Sequence, residues 1–146
     1  MIVIIVAMLG SLGPLTPASD PLRRLKAWDM HAQDIAEFAA THNADTVVVM
    51  RRGFAAKLIW ELRERQLAVL IIDQNGIPEN HFEKTFPWAP KKDLVSIFIN
   101  GELSPPELAA TAGRGNVRWH GITAVSSYTI SKNRDRTLIL HLGTEQ

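Results

Sequence analysis

Asp45-Thr46-Val47-Val48-Val49-Met50-Arg51-Arg52-Gly53, followed after a helical stretch by Leu67-Ala68-Val69-Leu70-Ile71-Ile72-Asp73, sets the architecture of this chain. The two apolar runs are short, rich in β-branched residues and without polar alternation, which is the pattern of strands buried on both faces of a parallel sheet. Between them Ala55, Leu58, Ile59 and Leu62 recur at helical spacing, while Lys57, Glu61, Arg63, Glu64 and Arg65 fall toward water. Strand, helix, strand in this order predicts a right-handed crossover. Leu94 to Ile99 supplies a further buried strand. The expected fold is therefore α/β, a three-layer domain with a mostly parallel central sheet.

Upstream, Leu22, Leu25, Trp28 or Asp29, Ala32, Ile35, Ala36 and Ala39 form one apolar stripe, so a helix is expected from Asp20 to His42-Asn43, with a break near Trp28. Asp20 before Pro21 is a suitable start, because a carboxylate accepts from the free amides and proline already has a helical φ. Downstream, Pro105-Pro106-Glu107 predicts a short helix to about Gly113, capped by Ser104. Val117 to Thr129 and Thr137 to Leu142 then read as an antiparallel pair at the C-terminal edge of the sheet, joined by a turn over Ser131 to Asp135.

The extreme N-terminus differs from the rest. Met1-Ile2-Val3-Ile4-Ile5-Val6-Ala7-Met8-Leu9 is a continuous apolar run, and residues 10–19 are rich in Gly, Pro, Ser and Thr. A membrane helix needs about 20 apolar residues. The run thus reads as the end of a longer span, as a first core strand, or as a signal peptide lacking its basic region. The division is residues 1–12 as this apolar segment, 13–19 as a linker and 20–146 as one α/β domain. A chain of 146 residues is enough for a single core.

Composition narrows the chemistry. Sixteen Lys and Arg against 15 Asp and Glu leave a net charge of +1, with no overall field to attract nucleic acid, and none is expected as a partner. The absence of cysteine removes disulfides, thiolate nucleophiles and zinc-thiolate sites. No cofactor or metal motif is present, and none is expected to bind.

Three groups of residues carry candidate chemistry. Arg51 and Arg52 follow a strand and precede a helix, the place where α/β folds bind anions, although Gly53 alone makes no phosphate loop. His81 and Glu83, two apart, would point the same way on an extended segment, as acid and base or as two metal ligands; alternatively Asn80, His81 and Glu83 bond the loop's own backbone while Phe82 and Phe86 anchor it. Trp88, near Lys91 and Lys92, is the tryptophan expected at lipid headgroups, whereas Trp60 and Trp119 are expected to pack in the fold. His31, His42, His120 and His141 share no ligand spacing and are expected at or near the surface. Ser126 and Ser127 lack a nucleophile elbow.

Asp20-Pro21-Leu22-Arg23-Arg24-Leu25-Lys26-Ala27-Trp28, then Met50-Arg51-Arg52 with Trp60-Glu61-Leu62-Arg63, then Asn80-His81-Phe82-Glu83-Lys84-Thr85-Phe86-Pro87 form a series. Over about Asp20 to Ile99 it resembles the soluble C-terminal domain of bacterial membrane glycosyltransferases that use a polyprenyl-phosphate-linked sugar, the class of protein mannosyltransferases and aminoarabinose transferases. Ala27 stands where that pattern has glycine, and Met50-Arg51 where it has acidic residues. The resemblance implies a non-catalytic exported domain whose apolar residues 1–12 end the last membrane helix, because the carboxylates credited with catalysis lie in membrane loops absent from this chain. It further implies a membrane-associated, extracytoplasmic location. The implied partners are membrane lipid or a lipid-linked sugar, together with the missing transmembrane part, with Arg52, Asn80, His81 and Glu83 as binding residues. Two other readings stay open: a free-standing α/β binding module, and a small hydrolase using His81 and Glu83.

Overall fold

The computed structural model describes residues 25–72, 77–89, 91, 93–100, 117–131 and 134–145. Eight elements follow in order: α1 (Trp28–His42), β1 (Thr46–Val49), α2 (Arg52–Leu62), β2 (Ala68–Ile71), α3 (His81–Thr85), β3 (Val95–Asn100), β4 (Val117–Ser131) and β5 (Arg134–Glu145). They build a five-stranded mixed sheet in the order β2-β1-β3-β5-β4.

The sheet is not mostly parallel. β1 pairs in parallel with β2 and with β3, but β5 pairs antiparallel with both β3 and β4. The C-terminal hairpin is the cause: its second strand slots in beside β3, and at 15 and 12 residues its strands are far longer than the parallel ones. The expectation of an antiparallel edge is met, with β4 outermost.

Registers divide the side chains cleanly between two faces, because alternate residues of a strand point to opposite sides. Val47, Val49, Val69, Ile71, Ile97, Ile99, Leu138, Leu140 and Leu142 share one cluster with Ala32, Ile35 and Ala39 of α1 and Ala55, Leu58 and Leu62 of α2. Phe82 of α3 packs against the same cluster. Val48, Ile72 and Phe98 lie on the opposite face, with Met50, Trp88, Val117 and Trp119 around them. The described residues therefore form two layers instead of the expected three, all three helices falling on one side. The short helix expected near Pro105 to Gly113 lies outside the described residues, as do the Asp20-Pro21 helix start and residues 1–12. Among the described residues no helix is long and apolar enough to cross a membrane.

Helix α1 ends where its sequence says it should: Asn43 takes a left-handed conformation (φ 53°) and its N–H closes on the Ala39 carbonyl. Its start is less well furnished. Ala27, the N-cap, has φ 63° and no side-chain cap, so a residue with a Cβ occupies a conformation that glycine adopts freely.

Candidate functional site

The three parallel strands run the same way, so Val49 and Ile71 end at one side of the sheet. β1 hands the chain on to β2 on one flank, while β3 leads toward β4 and β5 on the other, which makes the carboxyl ends of β1 and β3 the point where connections part. Arg51 and Arg52 stand there. Arg51 is the extended N-cap of α2, its carbonyl accepting from Phe54 and Ala55 at 2.9 and 3.0 Å. Its guanidinium lies 5.9 Å from the Phe54 ring centroid. Arg52, the first helical residue, is exposed, and the first turn of α2 holds no acidic residue. The corner is basic and faces outward.

The Asn80-to-Pro87 segment joins the same end of the sheet. Ile71 N–H donates to Phe86 O at 2.8 Å, Trp88 N–H donates to Ile71 O at 2.8 Å, and Pro87 bridges to Ile71. The segment is not extended, however. Asn80 caps α3: its Oδ1 accepts from Glu83 N–H at 3.1 Å, its Nδ2 donates to Glu83 Oε1 at 2.5 Å, and Glu79 N–H donates to Glu83 Oε2 at 2.6 Å. This is a variant of the capping box, the third helical residue reaching back to the N–H one position before the N-cap. On a helix, residues two apart point in nearly opposite directions. His81 therefore does not face the same way as Glu83; it lies exposed beside Phe82, ring centroids 5.9 Å apart.

Trp88 is fastened from below by a residue that the sequence does not single out. Glu145, fully buried, accepts from Trp88 Nε1 at 2.9 Å, from Ser96 Oγ at 2.9 Å and from the Lys91 backbone N–H. The Trp88 ring meets Phe98 edge-on at 5.9 Å, and Phe98 meets Trp119 at 4.9 Å. Trp88 is thus tied to the sheet, Lys91 is exposed, and Lys92 lies outside the described residues. Trp60 is the surprise, with 63% of its surface exposed.

A second polar group sits between the layers. His31 and His141 are buried, not superficial as expected, because α1 turns His31 inward against β4 and β5 carries His141 on the face with Phe98 and Trp119. His31 Nδ1 lies 2.7 Å from Ser126 Oγ, Ser126 Oγ donates to Asp34 Oδ2 at 2.6 Å, and Tyr128 OH donates to the same oxygen at 2.8 Å. Since the hydroxyl proton of Ser126 goes to Asp34, His31 donates from Nδ1 and its Nε2 is left as a buried acceptor without a partner. Desolvation, reinforced by Arg136, lowers the His31 pKa from 6.5 to about 4. The hydrogen bond to Asp34 raises that of Tyr128. The Ser126 proton faces the Asp34 carboxylate while His31 donates to the same hydroxyl, and Ser126 is itself buried, so the group joins α1 to β4 instead of presenting a nucleophile to a substrate. Helical spacing alone places His31 on the Ala32 and Ile35 side of α1, which is the one signal that could have found it.

Among the described residues no group of three or more His, Asp or Glu is arranged to hold a metal ion. Comparison with protein-family models, with curated proteins and with solved structures finds no match for this chain.

Proposed function

We propose that this chain is a non-catalytic domain of a membrane glycosyltransferase that uses a polyprenyl-phosphate-linked sugar, and that it assists binding of the donor's phosphate through the Arg52 corner. The observation that carries the non-catalytic part is the capping box. Asn80 and Glu83, two of the polar residues in one of the segments that carry the resemblance, spend their side chains on shaping α3 and its approach to β2. Both Glu83 carboxylate oxygens are engaged inside the segment, by the Glu79 N–H and the Asn80 side-chain amide, instead of being turned toward a substrate. The donor-binding part is supported by an exposed Arg52 at a helix start with no acidic residue nearby in the first turn, at the strand ends where α/β sheets take anions.

The test compares vesicles with and without a polyprenyl phosphate, using the full chain and its Arg52→Ala variant, beside an assay of sugar transfer by the chain alone. The proposal expects binding that depends on the polyprenyl phosphate, weakened by Arg52→Ala, and no transfer. Turnover by the isolated chain that His81→Ala abolishes would establish the hydrolase reading in its place.

A further inference from the structure

Helix α2 buries Ala55, Leu58 and Leu62, and one helical turn is 3.6 residues. Trp60 therefore lies on the pole of the helix farthest from the core, flanked by Gly53, Lys57 and Glu64, with Ala56 and Arg63 at its shoulder. At that pole, and 63% exposed, Trp60 stands outside both core clusters of the described residues. It is also held in place: Arg63 Nη1 donates to the Trp60 carbonyl at 2.5 Å and stacks its guanidinium 4.2 Å from the indole centroid. The ring is thereby presented, not merely left outside.

Charge is distributed to match. Residues 51–65 hold Arg51, Arg52, Lys57, Arg63 and Arg65 against Glu61 and Glu64, a local net charge of +3, whereas the whole chain carries +1 and the remainder accordingly −2. Glu64, paired with Arg63 at 3.4 Å, offsets part of the field without reversing it. From these observations we infer that the outer face of α2 docks on an anionic lipid surface, Trp60 inserting at headgroup level and Lys57 and Arg63 meeting the phosphates. A protein partner fits less well. A hot-spot tryptophan in a protein interface is ringed by further contact surface that excludes water, but the neighbours of Trp60 are glycine, alanine and charged side chains. A fluid headgroup layer asks for no complementary shape, only an amphipathic ring and basic side chains around it.

The inference needs neither a polyprenyl phosphate nor residues 1–12, and so stands apart from the proposed function. The experiment measures tryptophan emission of the full chain with vesicles of phosphatidylcholine alone and of phosphatidylcholine with phosphatidylglycerol, the lipids carrying bromine in their acyl chains as a contact quencher. The expected result is quenching with the anionic vesicles only, absent in Trp60→Phe, with Lys57→Glu/Arg63→Glu lowering partitioning by on the order of tenfold. Both positions are on the outer face of α2, and unchanged circular dichroism checks that the variants fold. Quenching that is equal in the wild type and Trp60→Phe would overturn the inference, since another tryptophan or the N-terminal run would then make the contact. So would the absence of any response to anionic vesicles, including the case where Trp60 responds instead to an acidic polypeptide.

Discussion

At the scale of single residues, Ala27 and His31 each hold a local cost that can be measured. A left-handed conformation costs a residue with a Cβ about 1 kcal/mol or more, so Ala27→Gly is expected to raise the unfolding free energy by about 0.5–1 kcal/mol in denaturant titration, although glycine is normally the poorer choice. For His31 the sign follows from its lowered pKa. As pH falls, the unfolded chain takes up the proton near 6.5 while the folded chain resists until about 4. Stability is therefore complete above 6.5, is lost across the interval down to about 4, and levels off below it. A depression of this size corresponds to on the order of 3 kcal/mol. His31→Phe should flatten the slope of melting temperature against pH in that interval, although His141, whose pKa burial also lowers, leaves a residual slope. Asp34→Ala, which strands the Ser126 and Tyr128 hydroxyls, is expected to cost about 2 kcal/mol in the same titration.

At the scale of elements, the Asn80-to-Pro87 segment is shaped by its own side chains. Asn80→Ala should remove about 1 kcal/mol of local stability and accelerate amide exchange at Glu83 and Lys84 more than in β1. Close packing governs the β3 to β5 junction: a Cβ at Gly143 would lie 2.7 Å from a Val117 methyl and 3.0 Å from the Phe98 ring, so Gly143→Ala is expected to destabilise by about 1–3 kcal/mol. The sequence made the regular elements legible where periodicity was strong. α2, β1 to β3 and the C-terminal hairpin stand within a few residues of their expected spans, and α1 ends as expected at His42 but begins at Trp28, the expected start at Asp20 lying outside the described residues. At α3 proline and glycine around 76–90 read as a loop where a short helix stands; of the two readings of its side chains, Asn80 and Glu83 bonding the segment's own backbone is the one the structure shows, and His81 facing the same way as Glu83 is not. The sequence misled at Trp60, since helical flanks say that a residue is on a helix but only the phase against Ala55, Leu58 and Leu62 says that it faces out.

For the molecule as a whole, the division between parallel and antiparallel halves was not legible, because pattern locates strands without saying which neighbour each one joins. The contact set that fixes the architecture is long-range: Glu145, next to last in the chain, gathers Trp88, Lys91 and Ser96, and the Ser126 group binds α1 to β4 across more than 90 positions. Both groups hold layers and connections together, whereas among the described residues the basic corner at Arg52 and the outer face of α2 are exposed to solvent. On the proposed function, the domain binds a lipid phosphate without performing chemistry on it. The most direct measurement is flotation of the full chain with phosphatidylcholine vesicles, with and without a polyprenyl phosphate, for the wild type and Arg52→Ala. The expected result is that the polyprenyl phosphate increases the floated fraction and that Arg52→Ala removes the increase. An unchanged floated fraction, or an increase that Arg52→Ala leaves intact, would contradict it.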